Sequence, residues 1–179
     1  MTQVANAYAQ GLYSLAAEEN LTKIILEEMT ALQQAFAQEP KYLQLLSSPN
    51  IPKQERCHIL DKDFRGKIQP YLLNFMKILT EKGSIRNFAD CCKAYREQYN
   101  QDNGILPVKA VTAVPLTQAQ SQKLCRKLEQ ITGKAVELTN VIDPACMGGV
   151  RLDYDGKRID GTVSNRLQSV GALLKNTVL

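Results

Sequence analysis

Tryptophan is absent from this chain of 179 residues and only 6% of its residues are aromatic, so no large aromatic binding platform is expected. No apolar run approaches the ~18 residues needed to cross a bilayer. The start, Met1-Thr-Gln-Val-Ala-Asn, has neither the basic and apolar regions of a secretory leader nor the arginines of a transit peptide. There is one histidine, and none of the cysteines (Cys57, Cys91, Cys92, Cys125, Cys146) forms a Cys-x-x-Cys pair, which argues against zinc. An odd cysteine count without a leader predicts reduced thiols, mostly small buried hydrophobes, in a cytosol-like compartment. Neither a Gly-x4-Gly-Lys-Ser/Thr run, a Gly-x-Gly-x-x-Gly run nor a nucleophile elbow is present. Cys57 and His58 are adjacent, but helix neighbours point about 100° apart and do not face each other. No catalysis and no cofactor is expected.

What the chain does contain is ordinary globular material, 44% hydrophobic and 22% charged, with its charge unevenly placed. Residues 1–103 carry 12 basic and 12 acidic side chains, whereas residues 104–179 carry 10 basic and 6 acidic, so the whole excess of +4 lies in the second part. The asymmetry implies two units with different partners.

Residues 1–103 read as six helices. Val4, Tyr8, Leu12 and Leu15 recur at helical spacing over 2–17, among small alanines and with Gly11 inside, where glycine costs roughly 1 kcal/mol relative to alanine. Such a lean helix can be approached closely by another. A second stripe, Leu21, Ile25, Met29, Leu32 and Phe36, ends at Glu39-Pro40. Short helices are predicted from Tyr42 to Leu46 and over 53–62. A fifth starts near Lys67 and ends before Gly83, and a sixth runs from Ser84 to Gln101. Asp102-Asn103-Gly104 is the predicted domain boundary.

Beyond it the period changes. Ile105 to Leu116 is β-branched and apolar. Thr117 and Gln120 form a capping box for a helix with Leu124, Leu128 and Ile131 on one side, and Val136 to Ile142 is the next strand. Asp143-Pro144 stops it, Gly148-Gly149 permits angles closed to other residues, and Asp155-Gly156 between Val150–Tyr154 and Lys157–Ile159 marks a hairpin. A last helix is predicted with Val163, Leu167, Val170 and Leu174 on one face. The fold class is therefore α+β: a six-helix bundle followed by a small α/β domain, its mixed sheet holding the hairpin and two helices. Asp143, Asp153, Asp155 and Asp160 could be imagined as a cation site, but turns and a helix cap claim three of them and no metal is expected.

The run Ile142-Asp-Pro-x-x-x-Gly-Gly149, with Gly156-x-x-Ile-Asp-Gly-Thr-Val-x-x-x-Leu167, resembles the C-terminal signature of the F-type ATP synthase delta subunit family, which includes the mitochondrial oligomycin-sensitivity-conferring protein. Ala7-Tyr8-Ala9 with Leu12, Leu46-Ser-Ser-Pro-Asn-Ile-Pro52, Asn74 to Ile85 and Val111 to Thr117 resemble other family segments in the right order. Cys146, Met147, Thr162 and Gly11 are modest departures. The resemblance implies a non-catalytic peripheral-stalk subunit, associated with the membrane only through its complex, on the cytoplasmic face of a bacterial inner membrane or the stromal face of a thylakoid. It implies that residues 1–103 hold the N-terminal helix of an alpha subunit and that residues 104–179 join the end of the b-subunit stalk. Carried over to this sequence, the alpha-binding groove would use Tyr8, Gly11, Leu12 and Leu15 with Phe75, Ile78 and Leu79. Arg151, Lys157, Arg158 and Arg166 are candidates for the b-subunit by charge alone. The alternative is a stand-alone adaptor binding nucleic acid or an acidic protein through the basic part. For nucleic acid the excess charge is small and no stacking aromatics accompany it.

Overall fold

Alanine, not leucine, makes most of the buried face of the first helix. In α1 (Gln3–Glu18) the buried residues are Ala5, Ala9, Leu12, Tyr13 and Ala16, while Val4 is 53% and Leu15 48% exposed. The predicted stripe of Val4, Tyr8, Leu12 and Leu15 is thus split: Leu12 points inward and the rest flank it. Small side chains let α1 sit close to its neighbours.

Five further α-helices complete the first of two compact units, Met1–Tyr99 and Asn100–Leu179. The structure is a computed structural model that describes residues 3–163 and 165. In α2 (Thr22–Gln38) the buried residues Ile25, Met29, Leu32 and Phe36 follow the predicted stripe. Next, α3 (Pro40–Leu46) starts at Pro40 rather than Tyr42, because proline suits the first helical position, where its missing N–H costs nothing. After α4 (Lys53–Phe64), α5 (Pro70–Glu81) again begins on a proline, later than the predicted Lys67, and the backbone N–H of Gln69 donates to the Glu28 carboxylate at 2.9 Å. A 3-10 turn, Ile85–Asn87, precedes α6 (Phe88–Asp102). Ile25, Met29, Leu46, Leu60, Leu72, Met76, Leu79 and Ile85 are fully buried at the centre.

The second unit is built on β1 (Ile105–Thr112), which stops four residues short of the predicted Leu116. Thr112 Oγ1 donates to the Val114 carbonyl and the Leu116 N–H donates to Asn140 Oδ1, so side chains replace the ladder on either side of Pro115, which has no N–H to give. A helix, α7 (Gln118–Thr132), crosses to β2 (Ala135–Ile142), which pairs parallel to β1. The capping box is formed: Thr117 Oγ1 accepts from the Gln120 N–H and the Gln120 side chain accepts from the Thr117 N–H. Then β3 (Val150–Tyr154) and β4 (Lys157–Asp160) add antiparallel, giving a mixed four-stranded sheet in the order β2-β1-β3-β4. The hairpin turn has φ of 47° at Asp155 and 70° at Gly156, the pair of left-handed residues that a two-residue hairpin requires. Leu106, Val108, Ala110 and Leu152 pack with Leu124 and Leu128 of α7. Ile131, expected on that side, is 80% exposed, because α7 carries it past the packed part of its face. The molecule is α+β, with seven α-helices and four strands among the described residues. The predicted last helix, with Leu167, Val170 and Leu174, lies outside the described residues.

Candidate helix-binding groove

The flank of α1 that the bundle does not use faces the flank of α5 that the bundle does not use. Between them lies a groove of about 330 Å³ lined by Ala7, Tyr8, Gly11, Leu12 and Leu15 from α1 and by Tyr71, Asn74, Phe75 and Ile78 from α5. Leu12 and Phe75 are buried and form its floor, whereas Leu15 and Ile78 are about half exposed, 48% and 45%, and form its walls. Among the described residues a methyl group on Gly11 would meet nothing within 4 Å, so none of them requires a glycine there.

Of the seven residues proposed for the groove, six line it. Leu79 does not: it is fully buried in the bundle. At about 100° per residue, Tyr71, Phe75 and Ile78 share one side of α5, while Leu72, Met76 and Leu79 share the inner side. Ala7, Tyr71 and Asn74 were not assigned to the groove from the sequence, although the helical period applied to Leu15 and Ile78 would have found all three.

The second landmark is the loop between β2 and β3. Asp143 accepts from the Ala145 N–H at 3.0 Å and begins a 3-10 turn, Pro144–Cys146. Gly149 then has φ of +79°, and a methyl group on it would lie 2.5 Å from the Gly161 carbonyl oxygen. Two backbones cross here without room for a side chain, which accounts for Gly149 and Gly161, whereas Gly148 is favoured by its φ of +151°. Asp160 accepts from both the N–H and the hydroxyl of Thr162, and Thr162 Oγ1 in turn accepts from the Asn165 N–H at 3.2 Å. The Asn165 N–H is thus taken by Thr162, while Asp160, expected to cap a helix here, orients the Thr162 hydroxyl. The hydrogen bonds from Thr162 hold the Asp160 carboxyl below its ordinary pKa.

The family profile described as ATP synthase delta (OSCP) subunit matches residues 4–174. The chain belongs to this family. It is 30% identical to the ATP synthase subunit delta of Clostridioides difficile over 98% of this chain and 97% of that one, and 33% identical to that of Alkaliphilus metalliredigens over 93% of each. Its fold resembles a chain in the cryo-EM structure of the Toxoplasma gondii mitochondrial ATP synthase hexamer, with a TM-score of 0.76, 18% identity and coverage of 97% and 98%.

In this delta-family chain two of the four basic candidates of the second unit, Arg151 and Arg158, are not free cations. Arg158 Nε donates to Asp153 at 2.7 Å, and Arg151 lies 3.7 Å from the same carboxylate. The register explains the grouping: Arg151 stands across from Asp160 and Asp153 across from Arg158, so charges alternate along one face. Lys157 is exposed beside the turn, and Arg166 lies outside the described residues. Three of the thiols are also the reverse of activated. Burial pushes Cys91 and Cys92 up to about 11 and about 12, and burial and Glu81 raise Cys57, the opposite of what a reactive thiolate needs. Among the described residues no three His, Cys, Asp or Glu side chains gather as a metal site.

Proposed function

We propose that this delta-family subunit is the non-catalytic stator link of an F-type ATP synthase, and that the groove between α1 and α5 holds the N-terminal helix of an alpha subunit. The second unit would join the end of the b-subunit stalk, with Lys157, exposed beside the hairpin turn, the described basic candidate that forms none of the ion pairs above. The observation that carries the reading is the open, apolar groove around Gly11, with no charged residue in its lining.

The mechanics favour such a site. A stator resists torque without dissociating, so its grip needs desolvated apolar contact; exposed ion pairs give only ~0–1 kcal/mol each. Helix-in-groove docking offers apolar contacts at i, i+3, i+4 and i+7 against two walls at once. Among the described residues no helix is long and apolar enough to cross a membrane. Attachment to the membrane would run through the complex, on the cytoplasmic face in a bacterium or the stromal face in a plastid.

Isothermal titration of the full chain with an alpha-subunit N-terminal peptide tests the groove. Tyr8→Asp, placing a carboxylate against the bound helix, should abolish measurable heat while the circular dichroism spectrum stays unchanged. Unaltered affinity in Tyr8→Asp would exclude this groove as the seat.

A further inference from the structure

The sheet of the second unit has two edges, and only one of them is guarded. The outer strand β4 is 4 residues long and carries Lys157, Arg158 and Asp160, a short and charged edge of the kind that discourages pairing with another chain. The other outer strand, β2, is 8 residues long, contains no proline, keeps an unbroken register with β1 and carries a single charged residue, Glu137.

Three hydrogen bonds fix which way the β2 backbone faces. The Ala135 N–H donates to the Gly104 carbonyl at 3.0 Å and the Asp143 N–H to the Thr112 carbonyl at 2.8 Å, so the odd-numbered residues turn toward β1. The Val136 N–H donates instead to the Glu129 carboxylate of α7, at 3.3 Å, on the outer side. Backbone groups alternate along a strand, so Leu138, Asn140 and Ile142 turn their N–H and C=O outward as well, at intervals of about 6.6 Å. Among the described residues no strand pairs on this side. A row of alternating donors and acceptors at that spacing is matched by another extended backbone, not by a helix, whose groups are bonded internally.

The charge beside the row is basic. Lys109 stands next to Thr139 in the register, Lys134 precedes the strand, and Arg126 lies one helical turn before Glu129 on α7. All three are exposed, and none belongs to an ion pair among the described residues. Against them stands the exposed Glu137, the Glu129 carboxylate being engaged by Val136.

We infer that the outer edge of β2 is a docking site for an extended acidic segment of another subunit, which joins the sheet as a fifth strand. The inference rests on the stator reading above and gives the second unit a contact made by main-chain hydrogen bonds, with the cations beside the row selecting acidic side chains.

Amide hydrogen exchange resolved to single residues, on the full chain alone and within the assembled ATP synthase, tests it. In the free chain the N–H groups of Leu138, Asn140 and Ile142 should exchange about a hundredfold faster than those of Glu137, Thr139 and Val141, which the ladder to β1 protects. In the assembled enzyme the three should slow to the rate of their neighbours. Thr139→Glu, at an exposed position, should leave the melting temperature of the free chain within a few degrees of the parent, yet return the three amides to their free rate in the assembled enzyme. Thr139→Lys should keep them slow. Protection already present in the free chain, or protection that grows with its concentration and so marks a second copy, overturns the proposal. So does an assembled enzyme in which the three amides stay fast, or one in which the glutamate and lysine variants behave alike. Incorporation of the chain leaves the stator reading standing in each of these cases, whereas failure to assemble with the other subunits overturns both.

Discussion

Gly11→Ala should move stability and binding in opposite directions. Glycine within a helix is less favourable than alanine by about 0.8–1.0 kcal/mol. The new methyl group meets nothing within 4 Å in the free chain, so the gain comes without a clash. A gain of about 1 kcal/mol in a unit of this size raises its melting temperature by roughly 4–8 °C. A partner helix seated over Gly11 reverses the sign for the complex. The methyl group then intrudes on a close backbone contact, and overpacking of this kind costs about 1–3 kcal/mol, or roughly 5- to 150-fold in affinity. Calorimetric melting of the free chain and titration with an alpha N-terminal peptide read the two effects separately. A variant that is more stable and binds as tightly as the parent would show that no helix packs on Gly11. A variant that is less stable would refute the open geometry of α1 itself.

The two neighbours on α5 should separate in the same assays. Ile78→Ala, on the half-exposed wall, should leave the melting temperature within a few degrees of the parent but weaken peptide binding, whereas Leu79→Ala should lose about 2–5 kcal/mol of stability to a core cavity, read by urea unfolding. Gly149→Ala combines a positive φ with a methyl group 2.5 Å from the Gly161 carbonyl oxygen. It should destabilise the second unit by at least about 1–3 kcal/mol, visible as faster amide exchange in β3 and β4; unchanged protection would contradict the close crossing. The Asp61 carboxylate is held low chiefly by its hydrogen bond from Lys77, at 2.6 Å, with Arg65 at 3.2 Å. Because the folded pKa is depressed, its contribution is complete above the unfolded value of about 3.9 and disappears as pH falls through the lower folded value. Asp61→Asn should therefore flatten the acid limb of the stability curve below about pH 4, and an identical acid limb would remove Asp61 from the account.

Local chemistry explains which of these features were legible without coordinates. The hairpin at Asp155-Gly156, the capping box of Thr117 and Gln120 and the stripe of α2 each depend on residues within a few positions of one another. The helix start at Pro40 was misread because Glu39-Pro40 was taken only as a stop, although proline is also a good first residue, and the start at Pro70 because the fifth helix was begun three residues early, at Lys67. Leu79 was misassigned to the groove because Ile78 and Leu79 are equally apolar, and only packing tells a wall from a core.

The amino-acid order by itself determined the family signature, the period of most elements and the presence of a lean first helix with a glycine in it. Each is a property of short stretches, where backbone preference and side-chain spacing act without distant help. Which flank of α1 stays open was decided only in three dimensions, because it depends on where α5 lies. Tyr71, far away in the chain, is brought to the groove by the same packing. The groove exists because the alanine face is consumed by the bundle, leaving Tyr8, Gly11 and Leu15 outside it.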